Sequence, residues 1–99
     1  MLQALSERIE NIRRAVEAMH ECKATHERSV SVKEMFGTQT AWEGGVESFT
    51  LTGHPKAQRC HAWSFDDNGE TRYLSVLELP PVESPQTAVR AAIASGQQK

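Results

Sequence analysis

The amino-acid sequence predicts an α+β fold, ordered α-β-β-β-β-α, with a four-stranded antiparallel meander flanked by two helices. Three observations carry this reading. An apolar stripe at helical spacing fills the first two dozen residues. Residues 24–79 divide into four β-rich runs separated by three local turn signals. After Pro80-Pro81, the pair Ser84-Pro85 opens a second amphipathic stretch.

The first helix is expected over about residues 2–23. Leu2, Leu5, Ile9, Ile12, Val16 and Met19 recur at steps of three and four, which places them on one face. Glu7, Arg8, Glu10, Arg14, Glu17 and Glu21 fall on the opposite side, with Glu10 one turn from Arg14. The stripe covers fewer than three heptads, too short for a free-standing coiled coil, so it reads as a core helix packed on the sheet.

Strands are expected over about 25–36, 40–52, 58–65 and 71–79. Gly37-Thr38-Gln39 turns the chain after the first. The second contains Gly44-Gly45, which suggests a bulge or bend, and its apolar parity changes there from Trp42 and Val46 to Phe49 and Leu51. Gly53-His54-Pro55-Lys56 forms the next turn. Asn68-Gly69 is the strongest short hairpin signal in the chain, and counting outward from it sets Trp63 opposite Leu74 and His61 opposite Val76. Pro80-Pro81 ends the sheet, since proline has no N–H for the ladder. The last helix is expected over about 85–95, with Ser84 as N-cap, Pro85 in the first turn, and Gly96 closing it.

At 99 residues this is one domain, and a chain so short buries only about two-thirds of its unfolded surface. A net charge of −2 with interspersed signs gives no basic footprint for nucleic acid. No apolar run reaches the length of a membrane span or signal-peptide core, and the expected compartment is the cytoplasm. Two cysteines do not make a secreted disulfide framework.

Neither face of the third and fourth strands is simply polar. One carries Trp63, Phe65, Leu74 and Val76 with His61; the other carries Cys60, Ala62, Tyr73, Leu77 and Leu79. An antiparallel sheet with one solvated face alternates more cleanly. If both helices cover one face, the other needs a curled sheet edge, a second subunit or a ligand. The expectation is a homodimer acting by binding, with His61, Trp63, Phe65, Leu74 and Val76 at its interface and Trp63 at the centre.

The alternative is a small-molecule binder or weak enzyme with a pocket between the first helix and the sheet. His26, Arg28 and Glu34 share the parity of Val30 and Val32 and would supply its polar lining, with Trp42 or Trp63 as an apolar wall. Glu43 and Glu47 sit on the other parity. No metal site or cofactor is expected: Cys22, His26, Cys60 and His61 match no zinc spacing, and adjacent Cys60 and His61 point to opposite faces of a strand. No catalytic residue is expected either, because a Cys–His nucleophilic pair needs an orienting third group that nothing local identifies. The reading therefore favours a non-enzyme.

Ala41-Trp42-Glu43-Gly44, Phe49-Thr50-Leu51-Thr52-Gly53-His54-Pro55-Lys56-Ala57, Cys60-His61-Ala62-Trp63-Ser64 and Pro81-Val82-Glu83-Ser84-Pro85-Gln86-Thr87-Ala88-Val89-Arg90-Ala91-Ala92 resemble stretches of small uncharacterised bacterial proteins, a likeness that covers about residues 20–93. That resemblance carries no activity and no site residue. The element order also resembles cystatin-like and nuclear-transport-factor-like cones, which hold ligands between helix and sheet.

Overall fold

The computed structural model describes residues 2–96, with side chains from Leu5 onward. Leu2 of the apolar stripe, as a side chain, and the tail Gln97–Lys99 lie outside the described residues. The order is α1 (Leu2–His20), β1 (Lys23–Phe36), β2 (Gln39–Thr52), β3 (Arg59–Asp67), β4 (Glu70–Leu77) and α2 (Pro85–Ala94). The strands form one antiparallel sheet in sequence order, the α-β-β-β-β-α meander that the residues predict.

The turns follow from backbone chemistry. Asn68 and Gly69 take φ of 55° and 85°, the left-handed pair that a tight hairpin requires. They set Trp63 opposite Leu74 and His61 opposite Val76, as the count from Asn68-Gly69 gives. α1 stops at His20, where Glu21 turns left-handed at φ 50° and its N–H still bonds Glu17 O at 2.8 Å. Ser84 caps α2 reciprocally with Thr87, and Gly96 follows the last turn at φ 78°.

The helices lie on opposite faces of the sheet. α1 sends Ile12 and Val16 into a core with Phe49, Leu51, Ala57, Cys60 and Ala62. α2 sends Ala88, Val89 and Ala92 into a second core with Val32, Val46, Trp63 and Leu74. This corrects the expectation that both helices share one face. It also explains why neither face of β3 and β4 is polar: each has its own helix, so each needs apolar residues. The face on which a partner was expected is occupied within the chain.

The parity change in β2 has the same cause. Gly44 and Gly45 pair in regular register with Val32 and Ser31, so no bulge interrupts the strand there. Trp42 and Val46 face the α2 side, whereas Phe49 and Leu51 face the α1 side. Gly44 serves a different need: a Cβ there would lie 3.0 Å from Cη2 of Trp42, whose indole passes over it. Trp42 in turn packs against Trp63, ring centres 5.5 Å apart.

The irregularities of the first hairpin fall instead between His26 and Arg28 and between Glu34 and Met35. The bulge at Glu27 reverses the parity of β1. His26 pairs with Phe49 on the α1 side, while Arg28 pairs with Ser48 on the α2 side. No described helix is long and apolar enough to cross a membrane.

Candidate functional site

Two polar constellations back onto each other at the Glu47-Ser48 step of β2. Successive strand residues point to opposite faces, so Glu47 lies under α1 and Ser48 on the α2 side.

Glu47 is 1% exposed and is held by three groups. Arg8 of α1 reaches its Oε2 at 3.3 Å and the carbonyl of Gly45 at 3.4 Å. His26 donates from Nε2 to Oε1 at 2.8 Å, and the Ser29 hydroxyl donates to the same oxygen. A buried carboxylate needs such compensation. The β1 bulge is what brings His26 to it, and the His26 ring also meets Phe49 edge-on at 5.4 Å.

On the other face, Ser48 Oγ lies 2.8 Å from Nδ1 of His61, and Nε2 of His61 lies 2.8 Å from Oε1 of Glu78. The carboxylate only accepts, so Nε2 carries the proton and Ser48 donates to Nδ1. Arg59 joins the chain by bonding both Glu78, at 3.1 Å, and Glu27, at 2.9 Å. Burial lowers the His61 pKa, opposed by the Glu78 bond, and so keeps the imidazole neutral.

A Ser–His–Glu chain is the geometry of an activated nucleophile, but Ser48 and His61 are both fully buried. No substrate carbonyl reaches Ser48 in this arrangement. Cys60 is equally closed: it has no exposed surface, and burial pushes its thiol up to about 11, so it is protonated at neutral pH. Both cysteines are free thiols. Among the described residues, no group of three or more His, Cys, Asp or Glu side chains is placed to hold a metal.

The residues expected to line one pocket are separated. His26 belongs to the Glu47 cluster under α1. Arg28 stands across from it beyond the bulge, and Glu34 pairs with Arg90 of α2 at 2.8 Å and with Gln86. Trp42 and Trp63 pack together under α2. The residues expected at an interface are also placed within the chain: Trp63, Leu74 and His61 are buried, and Phe65 and Val76 pack against the α2 core. Two features produce this arrangement: the bulge between His26 and Arg28 separates the pocket residues, and the division of the helices between the two faces covers the apolar ones.

Exposed apolar surface lies elsewhere. Phe36, at the end of β1, is 78% exposed, and adjacent Met35 is 46% exposed. Beside them Ala41, Ile93 and Ala94 border a cleft of about 180 Å³. The hairpin carries them outward, since β1 and β2 pair along their whole length while β2 and β3 pair only over Glu47–Thr50 with Arg59–Ala62. The sequence signal was there: Met35-Phe36 immediately before the Gly37 turn is apolar where turn chemistry is usually polar.

No family model matches this chain, and no curated protein or solved structure matches it either.

Proposed function

We propose that this chain is a protein-binding module without a catalytic role, and that it docks through the outer end of the β1–β2 hairpin. The observation that carries the reading is Phe36, an aromatic side chain 78% exposed beside Met35 and the Ile93 cleft. Exposed aromatics at the centre of an apolar patch supply most of the energy of many interfaces. The complete hydrogen bonding of the buried Ser48–His61–Glu78 and Glu47 clusters fits a scaffold role for them.

The test compares immobilised wild-type chain with Phe36→Asp, whose thermal stability should match wild type because the side chain is solvated. A partner held by wild type, lost with Phe36→Asp and rebinding when purified supports the docking role. Retention of the same partners by both chains overturns it.

A further inference from the structure

We propose that the open edge of β4 pairs with the same edge of a second copy, antiparallel about a two-fold axis through Tyr73, joining two sheets into one of eight strands. The inference is independent of the docking role given to Phe36, which lies on a different edge.

A meander leaves two edge strands, here β1 and β4. Edge strands invite pairing unless charge, bulges, proline or a covering element prevents it. β1 has those protections: it carries Lys23, Glu27, Arg28, Lys33 and Glu34, is bulged after His26, and lends the Lys33 carbonyl to the Gln86 amide at 3.0 Å. β4 is less protected: its charges, Glu70 and Arg72, are confined to its first three residues. Its register against β3 is unbroken from Glu70 to Leu77, and Tyr73–Leu77 is uncharged and free of proline. Clefts of about 510 and 380 Å³ border it, one walled by Met19 of α1 and the other by His20 and the Ala91–Ser95 side of α2. From α1, His20 reaches β4 at the Ser75 hydroxyl, its Nε2 2.9 Å from Oγ.

The ladder shows which groups are free to pair. The Glu78 N–H bonds Arg59 O at 2.9 Å, making 59/78 a bonded pair. Alternation along an antiparallel ladder then turns the N–H and C=O groups of Thr71, Tyr73 and Ser75 away from β3, toward the open edge.

Charge selects the register. A two-fold axis through Arg72 sets Arg72 against its copy, and one through Leu74 sets Glu70 against Glu78; like charges directly opposite are unfavourable. An axis through Tyr73 avoids both and pairs the strand from Glu70 to Val76. Axes through Thr71 or Ser75, which would set Arg72 against Glu70 or Glu78, pair only Glu70–Arg72 or Tyr73–Leu77 of it. The Tyr73 axis pairs Tyr73 with Tyr73, Thr71 with Ser75, Arg72 with Leu74 and Glu70 with Val76. The strand thus complements itself in one central register, as a closed two-fold interface requires, and this favours a second copy over an unrelated peptide.

Sedimentation equilibrium of the full chain at high micromolar concentration is expected to give twice the 11.0 kDa chain mass. Thr71→Pro removes an outward N–H while leaving the β3 ladder intact, and Tyr73→Lys places like charges at the axis. Each is expected to weaken association by at least about tenfold, or 1.4 kcal/mol, while Phe36→Asp leaves the mass unchanged. Oxidised Tyr73→Cys is expected to cross-link into a dimer, because the axis brings the two Cα atoms to about 5.5 Å, within disulfide range. This readout stands even if an edge variant misfolds. A wild-type monomer, a dimer indifferent to both edge variants, a dimer abolished by Phe36→Asp alone, or absence of the cross-link each overturns the proposal.

Discussion

Ser48 donates its hydroxyl to Nδ1 of His61 across 2.8 Å, between adjacent central strands, with both side chains fully buried. A neutral imidazole with its proton on Nε2 suits this bond, whereas protonation would make Nδ1 a donor as well and reverse the role of the Ser48 hydroxyl.

Stability is therefore expected to fall on mild acidification. Burial lowers the pKa of His61 in the folded chain, and that of His20 likewise. As pH drops through about 6.5, the unfolded chain takes up these protons first, so the contribution is full above that value and is lost below it. Urea unfolding between about pH 7.5 and pH 5.5 checks the sign. His61→Asn should be less stable throughout and should show a shallower loss across that range.

Trp63→Ala is expected to destabilise the monomer by about 3–5 kcal/mol. The side chain has no exposed surface and sits among Val46, Leu74 and Val89. Thermal unfolding should register the change at any protein concentration, in contrast to the edge variants. An unchanged melting temperature would contradict the core placement.

Arg8→Met should cost about 1–3 kcal/mol, because it leaves the buried Glu47 carboxylate with only His26 and Ser29. Arg8 is itself partly solvated, which keeps the loss below that of a fully buried pair. Replacing Glu47 with Gln in the same chain is expected to restore part of the loss, and a double-mutant cycle in denaturant measures the coupling.

Gly44→Ala and Gly45→Ala should differ although the residues are adjacent. The first puts a methyl group 3.0 Å from the Trp42 ring, forcing a shift that costs about 1–3 kcal/mol. The second meets only the Arg8 guanidinium at 3.7 Å, an ordinary contact. Near-ultraviolet circular dichroism should change for Gly44→Ala, because the Trp42–Trp63 pair must move, and stay close to wild type for Gly45→Ala.

The local elements were legible because their signals are local. Asn68-Gly69 sets a hairpin register by itself, and Ser84-Pro85 starts a helix by itself. The bulge after His26 was not legible, since Glu27 carries no glycine or proline to mark it. Its effect was large: one extra residue moved His26 to the face opposite Arg28 and Glu34, and brought it to Glu47. The division of helices between faces was hidden for another reason. β2 switches its apolar parity at mid-strand, and a bulge at Gly44-Gly45 and a change of covering helix predict the same sequence pattern. Only the tertiary arrangement separates the two.

The two cores share a single layer of backbone and almost no side chains. From Val46 to Phe49 every residue of β2 is buried, alternately committed to one helix or the other. Opening either helix thus hydrates one surface of this segment while the opposite surface remains dry. Amide hydrogen exchange should find its slowest protons where β2 crosses β3, with the ends of the first hairpin exchanging earlier. The domain is built as two half-cores spliced at Val46–Phe49, and its cooperativity is expected to depend on that splice.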